Sequence, residues 1–149
     1  MNIKQVLYSE CEQFVNERLQ TIEKIISSNQ RALTSETKSS AGDKHETGRA
    51  MLQLEMEKAG QQLQVISKMK ETLSKINLIQ NSEKAHLGSL IQTTTGIYFL
   101  SISAGQITYK NKHYFAVSTS SPIGKLLLGK QEKESILFNG KTSTIETII

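Results

Sequence analysis

The stretch "SSAGDKHETGR", Ser39–Arg49, separates two long runs of helix-forming residues, and its reading decides the fold of the first half. Before it, Leu7, Cys11, Phe14, Arg18, Ile22, Ile25 and Asn29 recur at spacings of three and four, and Val15, Leu19, Ile26 and Leu33 widen the stripe. After it, Leu52, Met56, Ala59, Leu63, Ile66, Lys70, Leu73 and Ile76 resume the pattern. That near-heptad period predicts an amphipathic helix on each side. Glu, Gln, Lys and Leu at the remaining positions favour the same conformation. Two such helices joined by a short break bury their stripes by folding back on each other. Residues 1–77 therefore read as an antiparallel α-helical coiled-coil hairpin with its tip at 42–46. Arms of roughly 30 residues, rising 1.5 Å each, would extend about 45 Å.

Local chemistry accounts for the tip. Gly42 supplies the backbone angles of a sharp reversal. Asp43 is a good N-cap, and Glu46 stands three residues later at the capping-box position, for a gain of roughly 0.5–2 kcal/mol. Both acids suit the positive end of a helix dipole. A functional reading is compatible with the structural one. Two carboxylates within one helical turn can supply part of the shell of a Mg²⁺ ion, which often takes one or two carboxylates together with water and phosphate oxygens. They cannot close a site by themselves, so such a metal would draw its other ligands from a partner.

From Leu78 onward the period changes. Short runs rich in β-branched and aromatic residues, bounded by Gly, Asn and Ser, predict strands at Ser89–Thr94, Ile97–Ser103, Gln106–Tyr109, Tyr114–Ser118, Ser135–Phe138 and Thr142–Ile148. "SAGQ" (Ser103–Gln106), "KNKH" (Lys110–His113) and "NGK" (Asn139–Lys141) read as tight turns. In "SSPIGKLLLGK", a serine cap, Pro122 in the first turn and Gly129 after the last Leu delimit one short helix. The fold class is α+β: a helical hairpin at 1–77, a polar linker at 78–86, and a small antiparallel β domain with one short helix at 87–149.

Composition narrows the function. The chain has 149 residues, a net charge of +4, one Cys and no Trp. Residues 1–77 carry 11 Lys/Arg against 10 Asp/Glu, and 78–149 carry 7 against 4, so no clustered basic patch marks a plain nucleic-acid binder. The lone Cys11 excludes an intrachain disulfide and suits a reducing compartment. No run approaches the ~20 apolar residues of a membrane span. A soluble, cytoplasmic protein is expected. Cys11 on the apolar seam reads as core rather than nucleophile. His45, His86 and His113 show no zinc spacing. Lys44 and Arg49 read as solvated helix charges, and the serines of "SSPIG" lack a nucleophile elbow.

A long N-terminal helical hairpin with an acidic tip, followed by a domain carrying "SPIG…L.GK" at Ser121–Lys130, resembles the bacterial Gre transcript-cleavage factors. The tip "GDKHE" (Gly42–Glu46) is similar to that family's Gly-Asp-x-Ser-Glu at the glycine and both acids. The resemblance implies an FKBP-like C-terminal domain that docks on RNA polymerase while the hairpin enters the secondary channel. It implies that Asp43 and Glu46 assist the polymerase active site, sharing a Mg ion that the chain does not bind alone, so that the polymerase hydrolyses the 3′ end of backtracked RNA. The chain would then be a monomeric accessory factor, not an enzyme, meeting the nascent RNA 3′ end only indirectly. Ser121, Pro122, Ile123 and Gly124 are the candidate partner-binding residues. The chain departs from the family at His45, Thr47 and Ala50, where active members carry serine, asparagine and tyrosine, and "KQEKES" lacks the usual Gly-Asp. Two other functions stay open: a non-cleaving relative that competes for the same channel, and a coiled-coil interaction protein with no polymerase role.

Overall fold

The computed structural model describes residues 2–38 and 43–149, and the side chains among them apart from those of 36–38 and 43–46. Gly42 lies outside the described residues. Two helices open the chain, α1 (Ile3–Lys38) and α2 (Asp43–Ser74). Asn2 and Gln5 cap α1 reciprocally: the Gln5 N–H donates to Asn2 Oδ1 at 2.9 Å and the Asn2 N–H to Gln5 Oε1 at 3.3 Å. This is a capping box with amides in place of the usual hydroxyl and acid. The helices form the expected hairpin.

The second half folds as β1 (Leu90–Thr93), β2 (Ile97–Ser101), β3 (Gly105–Tyr109), β4 (Lys112–Ser118), α3 (Pro122–Leu127), β5 (Ser135–Phe138) and β6 (Lys141–Ile148). The strands pair in the order β3-β4-β2-β1-β6-β5. Two of the turns are two-residue hairpin loops. Lys110 and Asn111 have φ of 49° and 64°, and Asn139 and Gly140 have 52° and 78°. Positive φ at both central positions matches the right-handed twist of the flanking strands.

The sheet is mostly antiparallel, as expected, with one parallel pair: β2 and β4 run side by side in the same direction, with Tyr98 beside Phe115 and Leu100 beside Val117. After β2 the chain crosses to the far side of the sheet, where β3 forms the edge, and β4 returns into the space between them. β3 thus serves as the crossover that parallel neighbours require. A register shift between Gln92 and Thr93 marks a bulge in the β1–β6 pairing.

The chain divides into two compact units, Val15–Lys70 and a second made of Met1–Phe14 with Glu71–Ile149. In the second unit the sheet is covered on both faces. One face packs Ile91, Leu100, Ile136 and Ile145 against Ile123 and Leu127 of α3. The other buries Leu90, Phe99 and Ala116, and Cys11 of α1 reaches it, its Sγ 3.7 Å from Ser101 Oγ. Leu7 and Cys11 are fully buried. Full burial of a side chain such as Leu7 contributes roughly 1.5–3 kcal/mol. Tyr8 closes this end of the helix pair by donating its hydroxyl to the Leu73 carbonyl at 3.0 Å. Among the described side chains of the first unit, Val15, Ile22 and Asn29 on α1 and Ala59 and Ile66 on α2 are buried.

Candidate functional site at the closed end of the hairpin

α2 begins at Asp43, the residue whose chemistry marks it as a helix start. Asp43 and Glu46, three residues apart, therefore both belong to the first turn of α2 and to one neighbourhood of its surface. That turn is the positive end of the helix dipole, which favours ionised carboxylates. Their side chains lie outside the described ones, as does that of His45. The next turn is open to solvent: Thr47, Arg49 and Ala50 are exposed and Gly48 is half-buried. Met51 and Leu54 follow at 61% and 65% exposure. Two carboxylates suit a metal that is shared. Among the described residues, no group of three or more His, Cys, Asp or Glu side chains could hold a metal ion by itself.

The second set of candidates, Ser121, Pro122, Ile123 and Gly124, opens α3. Ser121 is the N-cap: its hydroxyl accepts from the Gly124 N–H at 3.1 Å and donates to the Ser118 carbonyl at 2.6 Å. Pro122 takes the first helical position, where no N–H is missed. Ile123 is buried in the core beneath the sheet. A Cβ on Gly124 would fall 1.9 Å from the Ser118 carbonyl oxygen. After the helix, Gly129 donates to the Ala85 carbonyl and Ala85 to the Lys130 carbonyl, both at 2.8 Å. Ser121, Pro122, Ile123, Gly124 and Gly129 each have a place in the fold, so the spacing of this run alone does not assign a binding role.

The remaining chemically reactive groups are held by neutral neighbours. His86 Nδ1 lies 3.0 Å from Ser89 Oγ. His113 Nδ1 lies 2.8 Å from Gln106 Nε2 and 3.1 Å from Thr108 Oγ1. Burial pushes the Cys11 thiol up to about 11, against a smaller opposing effect of its contact with Ser101, so it is a core group and a poor nucleophile at neutral pH. Two buried polar side chains lie on α1: Asn29, which the helical spacing places on the stripe, and Lys4, which the sequence pattern did not single out. Lys4 and Asn29 are 5% and 7% exposed, and Lys4 Nζ and Asn29 Nδ2 have no hydrogen-bond partner among the described residues. Position on the helical stripe predicts the burial of Asn29; it does not show what faces it.

No helix among the described residues is long and apolar enough to cross a membrane. No family model matches the chain, and no curated protein matches it. A solved structure of the transcription factor Gfh1 is similar over 95% of this chain and 92% of that chain, at 15% identity and a TM-score of 0.35.

Proposed function

We propose that the chain is a Gre-type accessory factor of bacterial RNA polymerase. Its helical hairpin enters the polymerase's secondary channel, and Asp43 and Glu46 act there on a Mg ion held mainly by the polymerase. The observation that carries this reading is the coincidence of two carboxylates with the first turn of α2, at the closed end of a hairpin whose sequence resembles the family at the glycine and both acids. The "SPIG…L.GK" resemblance in the second half supports it independently.

The donor chemistry is consistent with a shared ion. Mg²⁺ demands near-octahedral oxygen coordination, which two carboxylates leave mostly unfilled. When bound, such an ion stabilises charge on attacking and leaving oxygens in hydrolysis of a phosphodiester. The chain's own contribution is to bring two negative charges to that ion and to keep them ionised through the helix dipole. On this reading the nuclease is the polymerase.

One departure favours a second reading. His45, Thr47 and Ala50 replace residues that assist cleavage in the family the tip resembles, which suits a regulator that occupies the channel without promoting cleavage. The two readings separate in a cleavage assay on purified polymerase halted in a backtracked state. Active wild type, with loss of activity but retained fold in Asp43→Asn, supports the first, because Asn also caps well. Polymerase binding without cleavage supports the second. Absence of binding leaves only a coiled-coil interaction protein.

A further inference from the structure

α2 carries a second heptad column besides the one buried in the hairpin. Met51, Lys58 and Val65 stand seven residues apart, with Leu54 one turn from Met51. Lys58 and Val65 each precede a buried residue, Ala59 and Ile66, so their column lies about 100° around the helix from the buried one. It faces solvent: Met51, Leu54 and Val65 are 61%, 65% and 55% exposed, and Lys58 is exposed between them. Apolar residues at heptad spacing form the seam of a helix–helix contact. Left open along one helix, they suit the docking of another.

The same side of α2 borders a groove. Lys24, Ile25 and Asn29 of α1 line it together with Glu55, Lys58 and Ala59 of α2. Ile25 adds a further apolar side chain, 40% exposed. Two lysines against one acid leave the groove positive. Asn29 is 7% exposed, and its Nδ2 has no hydrogen-bond partner among the described residues. A buried amide donor left unpaired costs stability. A carboxylate arriving in the groove would supply its acceptor and meet Lys24 and Lys58 as well.

We propose that this column and groove dock one helix of a partner protein, amphipathic, with apolar residues at heptad spacing and a carboxylate at the level of Lys58. A second copy of the chain does not fit that description. Two α2 columns paired over their full length, parallel or antiparallel, set Lys58 against Lys58, and like charges so placed repel. The surface needs no RNA polymerase to be present, and neither does its test.

Two synthetic helical peptides of about three heptads serve as probes, identical and apolar along the seam except for Glu or Lys at its centre. Each is fluorescently labelled and titrated with the full chain; anisotropy reads binding, and amide chemical shifts locate it. The Glu peptide should shift amides near residues 24–29 and 51–65 and bind about tenfold or more tighter than the Lys peptide. Lys58→Glu, at an exposed position, should reverse that order. Leu54→Gln and Val65→Gln, whose glutamines suit a helix, should each weaken the Glu peptide by about threefold or more. Failure of both peptides to bind overturns the proposal, as does equal binding of the two. So does sedimentation equilibrium showing a wild-type dimer that Leu54→Gln dissociates, because a second copy would then be the occupant.

Discussion

Cys11 Sγ on α1 stands 3.7 Å from Ser101 Oγ on β2, joining residues 90 apart in sequence within one compact unit. The first turns of α1 are therefore part of the sheet's core as well as the start of a hairpin. Burial raises the Cys11 thiol to about 11 from an ordinary 9.0. A raised folded-state value means that the associated stability is complete below pH 9 and is lost as pH climbs from 9 to 11. The loss should reach roughly 2–3 kcal/mol. Chemical denaturation of wild type and Cys11→Ala across that window checks it: the difference in stability between them should narrow as pH rises. A constant difference would show that the thiol does not ionise at a cost.

Lys4 presents the opposite sign. Its Nζ is buried without a partner among the described residues, and burial lowers its value from 10.5. The charged form is the one the fold disfavours, so Lys4 weakens the fold below its lowered value and ceases to do so as pH approaches 10.5. Lys4→Met keeps an apolar stem and removes the charge. At pH 7 it should stabilise by about 1–3 kcal/mol, with the gain shrinking toward pH 10.5. Urea midpoints at the two pH values measure both parts, and destabilisation at pH 7 would show that Lys4 makes a favourable contact in solution.

Gly124 tests how far the "SPIG" run is explained by folding. A Cβ there would lie 1.9 Å from the Ser118 carbonyl oxygen and 2.9 Å from Ser121 Oγ. The carbonyl belongs to the backbone of β4 and cannot swing aside. Gly124→Ala should cost about 3 kcal/mol or more, or prevent folding. Ser121→Ala, which removes only the cap, should cost about 1 kcal/mol. Thermal or urea unfolding of both variants decides it; an alanine tolerated at 124 would contradict the close approach.

Those residues also show how much was legible beforehand. Ser121, Pro122 and Gly129 announce their short helix because capping and turn chemistry act over three or four residues. Asn139-Gly140 reads as a hairpin for the same reason, and Ser135–Phe138 was expected with the bounds it has. Periodicity likewise put Leu7 and Cys11 on a buried stripe. It could not say that Cys11 faces Ser101, because a helical stripe specifies that a side is covered and leaves the covering element open. The parallel neighbourhood of β2 and β4 was illegible on similar grounds: it depends on where β3 goes, and no residue within β2 or β4 encodes that. At the hairpin's closed end, helix resumes at Asp43, close to where turn and cap chemistry put its start, while the capping contacts expected of Asp43 and Glu46 fall on side chains outside the described ones. A shared metal site was not readable from the chain alone, since most of its ligands would belong to another molecule.

The most direct test of the proposed function is the Mg²⁺ dependence of RNA cleavage by a halted, backtracked polymerase, measured with and without saturating chain. If Asp43 and Glu46 help hold a shared ion, the wild-type chain lowers the Mg²⁺ concentration needed for half-maximal cleavage by at least about tenfold. An Asp43→Asn, Glu46→Gln chain should lose that effect while still competing with wild type for the polymerase. An identical Mg²⁺ dependence in the presence and absence of the wild-type chain, under conditions where it is bound, would contradict the account.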